Sequence, residues 1–282
     1  MRYLKRWLFL ILRALVWCHI GVVLFALFFG LLYSLLPPGV SSLQVYRSWV
    51  DGIRPLYPVR FVPLDSLNPH LPAMLIAAED GNFLVHRGID IESMKQAWQI
   101  NRQLGYYAAG ASTLTQQLAR TLFLFPKKWL LRKYAEVWLA LTLEMVMPKK
   151  RIIELYVNAV EWGPGIYGID AAARHWFKKP ATALGVDELA RLVAILPNPV
   201  NFTPHSFWRH PDLRWRWQYL WQRFGHAPRP TQQPVLRAAP HAVTSNAGPA
   251  IGGGTATNHS GRTNAPAAAD ATSSGTVSTA TN

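Results

Sequence analysis

At 282 residues the chain is long enough for one large domain or two small ones, and only 16% of it is charged while 50% is hydrophobic, against about 25% charged in an ordinary soluble domain. Twenty-nine Lys and Arg against 15 Asp and Glu leave a net charge of +14, which favours anionic partners: nucleic acid, phospholipid headgroups or phosphorylated substrates. The single cysteine, Cys18, excludes an intrachain disulfide and a cysteine-based metal site, and leaves the redox compartment open.

Residues 1–13 are basic and apolar, with Arg2, Lys5, Arg6 and Arg13 set among Trp, Leu and Phe. The 23 residues from Ala14 to Leu36 carry no formal charge. As a helix they span about 35 Å, enough for a hydrocarbon core of about 30 Å. Pro37-Pro38 ends the run. It is too long for a cleaved leader and no small-x-small site follows closely, so residues 14–36 read as a signal-anchor helix. Four cations before the span and none just after it put residues 1–13 in the cytoplasm and the rest of the chain outside. His19 and Ser34 within the span read as structural. Residues 37–64 form a linker punctuated by Pro55, Pro58 and Pro63, with Val59–Val62 as a candidate short strand.

A globular domain is expected over 65–225. Its pattern predicts helices at 70–78, 90–104 (opened by Asp90), 113–124, 127–147, 149–160, 168–176 and 187–196 (capped by Asp187), with a last helix starting near Asp212. No run of alternating strands stands out. Residues 226–282 are rich in Ala, Thr, Ser, Gly, Pro and Asn with few large apolar side chains. Such a segment buries too little surface to offset its ordering entropy and reads as a disordered tail.

Four stretches carry chemistry. The first is Glu79-Asp80-Gly81-Asn82-Phe83-Leu84-Val85-His86-Arg87-Gly88, after the apolar run Met74–Ala78. A carboxylate leaving an apolar helix for a polar loop is a natural site for proton transfer near neutral pH. Taken alone, an Asp-Gly pair in that position is more commonly a turn. The second is Gly110-Ala111-Ser112-Thr113-Leu114-Thr115-Gln116-Gln117-Leu118-Ala119-Arg120, where Thr113, Gln117 and Arg120 share one helical face. A hydroxyl, an amide and a guanidinium there suit sugar hydroxyls or phosphate oxygens; a capped helix with a solvated face is the plainer reading. In the third, Lys128, Arg132 and Glu136 lie four apart. They form a site if buried and a surface ion pair if not. The fourth, Lys149–Asn158, has its apolar residues Ile152, Ile153, Tyr156 and Val157 at helical spacing and reads mainly as packing, with Arg151–Glu154 as an internal pair. A tight loop, Gly163-Pro164-Gly165-Ile166-Tyr167-Gly168, follows.

In this order the motifs resemble the family 51 peptidoglycan glycosyltransferases, over about residues 60–205. The resemblance implies a mainly α, lysozyme-like domain with a membrane-embedded part beside its cleft. It implies polymerisation of lipid II, the growing glycan on its polyprenyl pyrophosphate being the donor and lipid II the acceptor. Position by position it makes Glu79 the base and Asp80, Phe83 and His86 its support. It places Gly110, Thr113, Gln117 and Arg120 among the substrate-binding residues, Arg132 at the pyrophosphate and Glu136 as a second carboxylate. Glu136 orients Arg132 or helps hold a divalent cation, Mg or Mn; no organic cofactor is implied. Three positions depart from the family pattern: Ala111 for a common glycine, Arg120 for the usual lysine, and Thr121 for a common asparagine. The implied setting is a bacterial inner membrane with the catalytic domain periplasmic. The expected partners are lipid II, the growing glycan, the membrane and proteins of division or elongation, and not nucleic acid. Nothing after residue 205 offers a serine-x-x-lysine nucleophile, so a monofunctional enzyme is expected. Two other readings stay open: a peptidoglycan-cleaving enzyme of lysozyme or lytic-transglycosylase type, and a non-enzymatic membrane scaffold using Trp215-Arg216-Trp217-Gln218-Tyr219-Leu220-Trp221 as its docking helix.

Overall fold

The computed structural model describes residues 2–106, 108–127 and 129–226. Lys128 and the tail beyond His226 lie outside the described residues. Ten α-helices and one short hairpin make up the regular structure among them, with a few single 3₁₀ turns.

The first helix, α1, runs unbroken over Arg2–Leu35, so the basic segment and the apolar run are one element. It is long and apolar enough to cross a membrane. Its C-terminal half packs along α6 (Leu130–Val146). Gly30 permits that approach, since a Cβ there would lie 2.8 Å from Val146 Cγ2. The Tyr134 hydroxyl meets His19 Nδ1 at 3.0 Å, and Phe25, Phe29 and Tyr33 surround the ring of Phe123. Arg151 closes the helix end by donating to the carbonyls of Tyr33 and Leu36, both at 2.9 Å, groups a helix C-terminus otherwise leaves unpaired. The Arg151–Glu154 pair forms as well, at 2.5 Å.

The linker holds a helix that hydropathy patterning passes over. In α2 (Ser42–Trp49) the Ser41 side chain accepts from the Gln44 N–H while the Gln44 side chain accepts from the Ser41 N–H. This Ser-x-x-Gln capping box is a helix-start signal of its own. No strand forms at Val59–Val62.

The domain is built round α3 (Leu71–Glu79), whose Leu71, Met74 and Leu75 are completely buried. An apolar helix of this kind is stable only inside a core, where each such side chain contributes roughly 1.5–3 kcal/mol. After it come α4 (Ile91–Leu104) and α5 (Leu114–Phe123), and α5 packs against both α6 and α7 (Lys149–Ala159). The hairpin β1 (Glu161–Gly163) and β2 (Ile166–Tyr167) leads to α8 (Ile169–Phe177), then α9 (Val186–Ile195) and α10 (Pro211–Phe224). The α5–α7 face supplies Leu114, Leu118, Leu143, Ile152, Ile153 and Val157 to the core.

Asp90 does open α4, accepting from the Ser93 N–H at 2.9 Å. Asp187 does not cap α9. The cap is Gly185, whose N–H donates to Glu188, while Asp187 accepts from the indole of Trp217 at 2.8 Å and pairs with Arg191. The helix expected from 127 starts three residues later, at Leu130.

Candidate active site

Where α3 ends, its two acids part. Asp80 turns inward and accepts from the Leu114 N–H at 2.8 Å, one of the unpaired donors in the first turn of α5. It also meets His86 Nε2 at 2.9 Å. His86 Nδ1 accepts from the Gly88 N–H at 3.1 Å, so the network assigns the ring proton to Nε2, which donates to Asp80. Phe83 is 0% exposed, with the Lys149 ammonium 4.3 Å above its ring. That ammonium also donates to the His86 carbonyl and to Glu144, each at 2.8 Å. The 80–88 loop is thereby clamped to α5 and α7. Phe83 has no surface for a ligand, so its support of the loop is packing, and the Asp80–His86 bond braces the loop.

Thr113 is likewise turned inward. It is the N-cap of α5, accepting from the Gln116 N–H and donating to the Gly88 carbonyl at 2.7 Å. The expected shared face with Gln117 and Arg120 therefore loses its hydroxyl, because the helix begins only after it. Gly88 sits at φ +89°, and a Cβ there would lie 2.9 Å from the Ala140 carbonyl oxygen. Gly88→Ala should lower stability by about 1–3 kcal/mol, read as a fall in the thermal midpoint of the detergent-solubilised protein; an unchanged midpoint would show that the loop relaxes freely.

Glu79 turns toward α5 and α10 instead, with 9% of its side chain exposed. Its Oε2 accepts from Gln117 Nε2 at 3.2 Å, and Gln117 Oε1 accepts from the Tyr156 hydroxyl at 2.8 Å. Burial, and next the negative charge of Glu79, push the Tyr156 phenol well above its usual range. It stays protonated and sets which way the amide points. Glu79 Oε1 is bonded by Arg216 Nη2 of α10. Sequence reasoning did not find Arg216. Its helix was noted for its tryptophans, and nothing in the local spacing links it to α3.

The second cluster lies beside the same stretch of α5, at Gln116 and Arg120. Glu136 is 0% exposed and gathers three cations: Arg132 Nη1 at 2.5 Å, Lys133 Nζ at 2.8 Å and Arg120 Nη1 at 3.8 Å. Lys133 also donates to Ser112 and Gln116, at 3.1 and 3.2 Å, tying the loop before α5 to α6. In that loop Gly110 is exposed, and Asn101 pins the chain beside it through Ala108 and Ala109. Lys133 thus joins Arg132 at this carboxylate. One carboxylate among three cations leaves a local positive excess. Arg132 Nε is buried with no hydrogen-bond partner among the described residues. The cluster is suited to an anion with several oxygens.

These residues do not fit a resident divalent cation. Arg132 and Lys133 engage both oxygens of Glu136, and no group of three or more His, Cys, Asp or Glu that could hold a metal occurs among the described residues. The contacts of Glu136 are those of the other role expected for it, orienting Arg132.

A family model described as Transglycosylase matches residues 57–224. Three curated relatives, each called biosynthetic peptidoglycan transglycosylase, are similar to the chain. The protein from Burkholderia vietnamiensis (strain G4 / LMG 22486) is 41% identical over 177 residues, covering 62% of this chain and 72% of its own. The one from Dechloromonas aromatica (strain RCB) is 39% identical over 204 residues, covering 71% and 87%. The one from Burkholderia thailandensis (strain ATCC 700388 / DSM 13276 / CCUG 48851 / CIP 106301 / E264) is 37% identical over 204 residues, covering 71% and 79%.

Proposed function

The chain belongs to the transglycosylase family and is a peptidoglycan glycosyltransferase, and from that premise we propose that it polymerises lipid II with Glu79 as base and Arg120, Arg132 and Lys133 as the pyrophosphate cradle. The observation that carries this reading is the pairing of two unlike clusters along α5, a braced carboxylate at Gln117 and a cationic group at Arg120. Inverting glycosyl transfer needs a base on the acceptor hydroxyl and stabilisation of the departing group. Glu79 takes the proton of the acceptor sugar's 4-hydroxyl as that oxygen attacks the donor's anomeric carbon. The bond to the pyrophosphate breaks, and polyprenyl pyrophosphate leaves with the electron pair. Being a weak base, it needs cations rather than a strong acid. Glu136 contacts no reacting atom in this scheme; it holds Arg132 and Lys133 in place.

The α1 helix anchors the enzyme in the membrane that holds its lipid-linked substrate. Its four N-terminal cations keep that end in the cytoplasm, with the domain on the periplasmic side of a bacterial inner membrane. A cleaving enzyme has no pyrophosphate to hold and leaves the cationic cluster without a task. The two activities separate in one assay, in which the detergent-solubilised protein is incubated with purified lipid II and, separately, with polymerised glycan. Consumption of lipid II with growth of polymer is expected. Loss of polymer without consumption of lipid II would sink the proposal.

A further inference from the structure

The Trp-rich helix α10 has no task in the chemistry above, yet it reaches Glu79. Its Leu213, Leu220 and Phe224 are buried, and Trp217 ties it to the first turn of α9 through Asp187. From this seat Arg216 spreads its donors over three groups. Nε donates to the Ala194 carbonyl at 3.3 Å, Nη1 to the Ala78 carbonyl at 3.4 Å, and Nη2 bonds Glu79 Oε1. The guanidinium is thus fixed on both sides, by α9 and by the last turn of α3, before it meets the carboxylate.

We infer that Arg216 is a positioning residue for Glu79, and that α10 therefore belongs to the catalytic unit; the inference rests on Glu79 being the base. A carboxylate offers about four lone-pair sites. Gln117 takes one on Oε2 and Arg216 one on Oε1. Glu79 is left one orientation, with its remaining lone pairs free for the acceptor hydroxyl. A glutamate at a helix end otherwise samples several rotamers, and misplacement by about 1 Å can cost about 10²-fold in rate. A lysine keeps the charge but has no planar fork, so it cannot bridge the Ala78 and Ala194 carbonyls and Glu79 together.

The test compares Arg216→Ala, Arg216→Lys and Glu79→Gln in the full-length, detergent-solubilised protein, titrating lipid II and recording the thermal midpoint of each. Arg216→Ala should lower kcat about 10²-fold while KM stays within about twofold, because positioning the base acts on the transition state and not on ground-state binding. Arg216→Lys should recover part of the loss. Should the alanine variant fail to fold, the lysine variant decides: a lowered kcat at unchanged KM supports the inference. A kcat within about threefold of wild type in either folded variant overturns it, as does a loss that rises through KM alone. Activity retained in Glu79→Gln removes the base itself. An inactive Glu79→Gln beside a fully active Arg216→Ala removes the positioning role only.

Discussion

Glu79→Gln should lower the rate of lipid II polymerisation by roughly 10²–10⁴-fold, the range that a positioned general base contributes. The amide keeps the size of the side chain and an oxygen for Arg216, but it cannot take a proton. Its NH₂ would also face the NH₂ of Gln117, whose orientation is fixed from behind by the Tyr156 hydroxyl. The variant is therefore expected to fold and to bind substrate while turnover is lost. Single-turnover rates with lipid II, alongside circular dichroism and the thermal midpoint, check this. A folded variant with most of its activity would show that another group takes the proton.

How much of this was legible in the chain follows from distance along it. Arg132 and Glu136 are four apart on one helix, so their pairing follows from helical period alone. Glu79 and Asp80 were visible as the end of an apolar helix, and only the resemblance to the glycosyltransferase family singled out Glu79 of the two. What spacing could not supply was direction. It put Thr113 on the same face as Gln117, yet Thr113 is the cap, and a cap residue turns its hydroxyl back on the helix. Lys133, three residues before Glu136, makes the second close contact to that carboxylate, while Lys128 lies outside the described residues. Arg216 was out of reach of any local pattern, since 137 residues separate it from Glu79. The α2 helix was a different case. Its capping box was written in Ser41 and Gln44, but the helix is only 8 residues long and three prolines follow it, which masked it.

Glu136→Gln should be nearly as damaging, for a reason that is half structural. The carboxylate is wholly buried, and its charge is what lets Arg132 and Lys133 sit together beside Arg120. Glutamine preserves the volume and one acceptor oxygen, so one of the two close cations keeps a partner and the other faces an NH₂. Breaking one side of a buried ion pair costs about 3–5 kcal/mol. Here the lower end applies, because Lys133 and Arg120 are each about a third exposed and can turn to water. The thermal midpoint should fall by several degrees, at about 2–4 °C per kcal/mol for a domain of this size. Measured well below that midpoint, kcat should still fall about 10²–10³-fold, as when one preorganised donor to a developing anion is lost. Arg132 carries the larger share of that effect. It is nine-tenths buried and held by Glu136 alone among the described residues, so without the carboxylate its guanidinium has nothing to aim it at the leaving pyrophosphate. A variant with normal turnover at an unchanged midpoint would mean that the cations keep their geometry unaided, and that the buried carboxylate is not what organises them.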